Sequence, residues 1–135
     1  MAFLNNFRLA FLAMLMLALH LELTSAGVEI TNIKADSLYD VDPAGNKADA
    51  YVMVWCNGLF GGSTGYREDT NYPRWSREFI FSYCGVGDTL KLQVWDSDWD
   101  YDDNLFTCTT QLKSGSYTYT CKHYHGTLYL DYRVY

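Results

Sequence analysis

From position 27 onward, apolar and polar residues alternate with a period close to two in one stretch after another. The cleanest stretch is 89–95, where Leu90, Leu92 and Val94 share one face and Lys91 and Gln93 the other. Successive strand side chains point to opposite faces, so this is the pattern of a half-buried strand. Residues 127–134 repeat it, with Leu128, Leu130, Tyr132 and Val134 on one face. Residues 50–56 are rich in β-formers and end in Cys-Asn-Gly, a turn signal. Further strands are predicted at 28–35, at 65–70 as a short edge strand, at 77–83 with Phe79 and Phe81 on one face, at 105–110 and at 116–121. Residues 58–65 hold four glycines and predict a flexible loop. About eight strands at short spacing, with no helical period after position 27, predict an all-β fold. The expected architecture is an eight-stranded antiparallel β-sandwich.

The first 26 residues follow another pattern. Arg8 and the free amine precede an unbroken apolar run at 9–19, and Thr24, Ser25 and Ala26 supply small residues after it. These three parts predict a secretory signal peptide at 1–26, cleaved to leave Gly27 as the new terminus. The protein is then secreted and extracellular, with a single domain at 27–135. A spanning helix is the competing reading, but the run is far shorter than the ~20 residues a bilayer requires. A buried N-terminal helix is another.

Composition narrows the picture. With 49% hydrophobic and 19% charged residues, the chain is not a disordered one. Twelve tyrosines favour strands. The net charge of −6 argues against a nucleic-acid binder, which needs a basic surface, and against unaided attraction to anionic lipid.

The four cysteines after position 27 are Cys56, Cys84, Cys108 and Cys121. An even number in a small secreted domain predicts two disulfides. Zinc is disfavoured, because no two cysteines are two to four residues apart and His123 and His125 adjoin only one of them. Cys108 and Cys121 flank a turn at 113–116, and a hairpin would set them opposite each other. That pairing leaves Cys56 with Cys84. No Asn-x-Ser/Thr sequon occurs.

The chemistry concentrates in one loop. Asp96, Asp98, Asp100, Asp102 and Asp103 fall within eight residues, directly after a predicted strand. Crowded carboxylates repel unless a cation neutralises them. Short carboxylates suit Ca2+, which takes six to eight oxygen ligands. Asp40, Asp42 and Asp49 precede another strand, so two acidic loops can meet at one end of a sandwich. An EF-hand is excluded: Tyr101 stands where its turn needs glycine, and Thr107 where it needs a bidentate glutamate. No carboxyl pair or nucleophile–base pair is set apart for catalysis, so no enzyme is expected. His123 and His125 read as surface and turn residues.

Several segments together resemble the C2 domain family. Residues 48–54 (Ala-Asp-Ala-Tyr-Val-Met-Val) resemble its Asp-x-Tyr-Val-x-Val strand. Residues 71–75 (Asn-Tyr-Pro-Arg-Trp) resemble its Asn-Pro-x-Trp segment, and 94–98 (Val-Trp-Asp-Ser-Asp) the strand that leads into its acidic loop. Ser114-Gly115, Cys121 and His125-Gly126 make the resemblance greatest to the C-terminal C2 domain of perforin, whose pore-forming domain is absent here. The resemblance implies Ca2+ held between loops at one end of the sandwich and docking on a phospholipid membrane surface. It implies metal ligands at Asp42, Asp49, Asp96 and Asp98, with Asp40 a substitute for Asp42. The late ligand aligns with Asn104, an amide where the family usually has Asp, so Asp103 or Asp102 stands in for it. Trp99 and Tyr101, among these acids, are expected at the lipid interface, where amphipathic rings are favoured. Trp55, Trp75 and Trp95 lie on or beside strands and read as structural. The resemblance suggests a host-defence role. The alternative is a secreted sandwich that Ca2+ only stabilises and that binds a protein or glycan.

Overall fold

The computed structural model describes residues 2–22, 27–39 and 46–135. A helix, α1 (Ala2–Glu22), comes first. Eight strands follow: β1 (Val28–Asp36), β2 (Ala50–Cys56), β3 (Leu59–Ser63), β4 (Phe79–Phe81), β5 (Thr89–Asp96), β6 (Asp103–Gln111), β7 (Gly115–His123) and β8 (Gly126–Val134). They build two four-stranded sheets, β4-β1-β8-β7 and β3-β2-β5-β6. Every pairing is antiparallel.

The predicted alternation becomes the core. Leu90, Leu92 and Val94 of β5 are fully buried, as are Val52 and Val54 of β2 and Leu128 of β8. Each such side chain contributes about 1.5–3 kcal/mol by leaving water. Trp75 is buried among them, and its main chain bonds to β1 at Ile33. Trp55 and Trp95 are half-buried. Lys91 Nζ lies 4.3 Å from the Trp55 ring centre, and the Trp95 indole N–H donates to Gln93. Gly27 and Tyr135 exchange backbone hydrogen bonds of 2.9 and 3.0 Å, which closes the β1–β8 ladder.

Two expectations are corrected, and one alternative is tested. The third strand is Leu59–Ser63, inside the glycine-rich segment expected to be loop, whereas 65–70 contributes only an isolated bridge, Ala50 to Arg67. The glycines fit a packing need. A Cβ on Gly61 would meet the Phe81 ring, and Gly62 has a φ of 131°. Second, both expected disulfides are present, with Cα separations of 6.2 Å for Cys56–Cys84 and 6.1 Å for Cys108–Cys121. Yet Cys108 and Cys121 do not face each other in a hairpin. β6 and β7 are edge strands of different sheets, and the bond staples those edges. Third, α1 contributes nothing to the described core, which excludes the buried-helix reading for its described side chains; Phe7, Phe11 and Met14 are exposed. Among the described residues no helix is long and apolar enough to cross a membrane.

Strand direction fixes where the loops gather. β1, β3, β5 and β7 run toward one end, and β2, β6 and β8 start there. The described segments 37–39, 46–49, 64–73, 97–102 and 124–125 therefore share one tip. Backbone bonds tie them together: Arg67 N–H to Ala50 O, Ser97 N–H to Asp49 O, Leu38 N–H to Asn71 O and Tyr39 N–H to His125 O.

Candidate functional site

Asp49 immediately precedes β2, and Asp96 ends β5. The β2–β5 register sets Ala50 opposite Asp96. The Asp49 N–H donates to Asp96 Oδ1 at 2.7 Å, and the Ser97 N–H donates to Asp49 O at 3.0 Å. Asp96 is only 3% exposed, so its carboxylate is a buried acceptor fixed by the main chain. Asp49 Oδ1 in turn accepts the Asp69 N–H at 2.6 Å. Asp69 has a φ of 47°, a left-handed conformation that Asp visits more readily than most residues. Hydrogen bonds to ionised acceptors of this kind are short and strong.

The rest of the acidic loop is tied down through Asp102. Its Oδ1 accepts the Asp98 N–H at 3.1 Å, and its Oδ2 accepts the Tyr51 hydroxyl at 2.7 Å. The Tyr51 pKa is pushed up to about 12 by desolvation, and further by the bond to Asp102 and its charge. Asp103 sits opposite Asp96 in the β5–β6 ladder, and Asn104 opposite Trp95, past a register shift. The Asn104 amide reaches Thr107 Oγ1 at 3.5 Å. Asp40 and Asp42 lie outside the described residues. Trp99 is completely exposed and Tyr101 is 84% exposed, both on the same loop.

The donor set is hard carboxylate oxygen, which matches Ca2+ rather than softer metals. Asp49 and Asp96 are joined, and Asp98 follows two residues later. Among the described residues no three His, Cys, Asp or Glu side chains form a group that could hold a metal ion. Two participants were not foreseen from sequence: Tyr51, the anchor of Asp102, and Asp69, which orients Asp49. A third feature is an aromatic ladder at the β7–β8 turn. His123 stacks on Phe106 at 5.2 Å and His125 on His123 at 5.6 Å, with Tyr39 stacked on His125 at 6.3 Å. The His-x-His spacing just before Gly126 was its only sequence signal.

Two antiparallel sheets with acidic residues at adjoining strand ends define a β-sandwich with an acidic tip. The C2 domain family model matches residues 27–126, and the chain belongs to that family. Among curated proteins it is 33% identical to mouse Perforin-1 over 116 residues and 38% identical to human Perforin-1 over 116 residues. Each match covers 81% of this chain and 20% of the relative. The chain thus spans about a fifth of the length of those relatives. A solved structure described as a C2 domain superposes with a TM-score of 0.75 at 28% identity, covering 81% of this chain and 97% of that one. The C2A domain of plant Extended Synaptotagmin 1 gives a TM-score of 0.68 at 18% identity, covering 82% and 94%. Calcium-bound C2A and C2B domains of Extended-Synaptotagmin 2 give 0.65 at 20%, covering 82% and 45%.

Proposed function

We propose that residues 27–135 form a secreted, Ca2+-dependent phospholipid-binding C2 module, released from a signal peptide at 1–26. It is a binding module and not an enzyme. The observation that carries this reading is the Asp49–Asp96 junction beside the fully exposed Trp99. Asp49, Asp96 and Asp98 would hold the ion once the loop at 97–102 rearranges around it, with Asp42 or Asp40 and with Asn104, Asp103 or Asp102 completing the set. Bound Ca2+ supplies positive charge to an acidic tip and open coordination positions for lipid phosphate oxygens. The chain's own residues do the rest. Backbone N–H groups aim Asp49 and Asp96, and Tyr51 fixes the loop through Asp102. Trp99 and Tyr101 then enter the headgroup region. The exposed apolar face of α1 supports removal of that segment, and the perforin resemblance supports a host-defence setting.

Sedimentation with phosphatidylserine/phosphatidylcholine vesicles tests the reading. Binding at millimolar Ca2+ that EDTA reverses is expected. No sedimentation on anionic or zwitterionic vesicles at millimolar Ca2+ would overturn it and favour a protein or glycan partner.

A further inference from the structure

The outer face of the β4-β1-β8-β7 sheet carries polar chemistry that lipid docking leaves unused. Two adjoining cavities open on it. One, of about 400 Å³, is lined by Glu29, Thr31, Tyr117 and Arg133; the other, of about 540 Å³, by Asn32, Lys34, Trp75 and Tyr129. Thr118 and Asp131 line both. Each volume lies in the roughly 300–1,000 Å³ range of small-ligand clefts.

Asp131 is the junction between them. Its Oδ2 accepts the Asn32 amide at 2.8 Å and its Oδ1 the Thr118 hydroxyl at 2.6 Å. This contact across three strands depends on a bulge. The β1–β8 register shifts between Thr31 and Lys34, and Asn32 takes a left-handed φ of 53°. Bulges re-aim side chains, and Asn tolerates this conformation well. The two hydrogen bonds hold the Asp131 carboxyl below its ordinary pKa, so it stays an ionised acceptor. A carboxylate has about four acceptor sites, so capacity remains beyond these two donors.

The surrounding charges are locally balanced. Arg133 bonds Glu29 at 2.8 Å, Arg74 bonds Asp36 at 2.8 Å, and Lys34 Nζ lies 5.4 Å from the Tyr129 ring centre. Donors, acceptors and rings without a strong net field suit a neutral ligand rich in hydroxyls better than a polyanion. Tyr129, on the face that carries Asp131, is half-buried and lines the second cavity. Trp75 lines one cavity, and its buried indole N–H has no hydrogen-bond partner among the described residues. We infer that the groove where Asn32, Thr118 and Asp131 meet binds a neutral oligosaccharide, whose adjacent hydroxyls donate to Asp131 and whose ring face rests on Tyr129, two residues along the same strand and on the same face. This site is independent of the tip loops and of Ca2+.

The test is amide chemical-shift mapping of the ¹⁵N-labelled protein with maltotriose, mannotriose and chitotriose. At least one trisaccharide is expected to shift residues 31–34, 116–118 and 129–133, equally with Ca2+ or with EDTA. Asp131→Asn, which keeps the shape but removes charge and one acceptor, should weaken that binding about tenfold. No shift with any of the three sugars at about 10 mM, or shifts confined to the tip loops, would overturn the inference. Loss of sugar binding in EDTA would also overturn it, as would mapping of a heparin-derived oligosaccharide to the groove in place of the neutral sugars. The map on the native protein needs no variant, so a poorly folded Asp131→Asn leaves the test intact.

Discussion

Replacing Trp99 with alanine separates the two contributions to membrane docking. The side chain is completely exposed and stands between Asp98 and Asp100, so it has no part in the described core. A tryptophan offers about 150–250 Å² of surface. If roughly a third of it, about 70 Å², leaves water at the headgroup level, the gain at about 25 cal/mol per Å² is about 1.7 kcal/mol. That corresponds to a loss of about ten- to twentyfold in vesicle affinity for Trp99→Ala. Ca2+ binding to the free protein should not change, because the ring supplies no oxygen. Salt separates the terms further. Raising ionic strength from 0.15 M to 1 M shortens the screening length from about 8 Å to about 3 Å and weakens the charge term, while leaving ring burial. The ratio of native to variant affinity should therefore persist at high salt. The assay is Ca2+-titrated vesicle binding of both proteins, with the shift in tryptophan emission as a second readout. Equal vesicle affinities would refute insertion while sparing phosphate bridging through the ion.

Four further outcomes are expected. Asp96→Asn keeps an acceptor for the Asp49 N–H but removes one charge, so it should retain the fold and lose at least about tenfold in Ca2+ affinity by calorimetry. Unchanged affinity would show that the site lies elsewhere. Tyr51 binds its proton more tightly folded than unfolded, because its pKa rises from 10.0 to about 12. Its stabilising contribution is therefore complete below pH 10 and is lost as pH climbs toward 12. Tyr51→Phe should flatten that alkaline loss in urea titrations. Removing the Cys108–Cys121 bridge by paired Cys→Ser replacement should cost about 3 kcal/mol in urea unfolding, as for a loop of this size, 13 residues apart in sequence. Finally, Ca2+ at ten times its Kd should stabilise the protein by about 1.4 kcal/mol and raise Tm by about 6–10 °C. Mg2+, which demands tight octahedral geometry, should do much less. An unchanged melt in millimolar Ca2+ would contradict the site.

The strands that sequence revealed most clearly are those with one buried and one wet face. β5 and β8 alternate because the sandwich buries every second residue, and Leu90, Leu92 and Val94 needed no neighbour to be understood. β3 was not legible for a related reason. It is an edge strand whose Leu59 and Phe60 are exposed, so burial imposes no alternation on it. Its glycines instead accommodate the Phe81 ring from the other sheet, a tertiary cause that no local window contains. The Cys108–Cys121 bridge was found by its spacing but with the wrong geometry. A turn of a few residues can join two strands of one sheet or carry the chain from one sheet to the other, and spacing does not distinguish them. At the tip, the Asp49–Asp96 junction followed from motif resemblance and is realised in the β2–β5 register. The Tyr51–Asp102 bond spans 51 positions and leaves no local trace.

The crowded carboxylates of the tip are tied by main-chain N–H groups of the loops and by one strand tyrosine. Asp96 is buried, yet its Oδ1 receives a main-chain N–H from the first step beyond β2, and Asp49 receives one from Asp69. Asp102 satisfies one oxygen with Tyr51, a side chain standing on β2, and the other with the Asp98 N–H. Each carboxylate in this chain of contacts is therefore held by a hydrogen bond, although Asp49, Asp96 and Asp98 do not converge as a metal-holding group among the described residues. The covalent staples lie apart from these loops. Cys56–Cys84 closes the end of β2 opposite the tip, and Cys108–Cys121 joins edge strands along the side. A movement of 97–102 would thus leave the bridges in place. Trp99 and Tyr101, kept out of the core by the acids around them, remain available for an outside surface. The bulged face around Asp131 belongs to the other sheet from the Asp49–Asp96 junction, so the two surfaces are built on different strands.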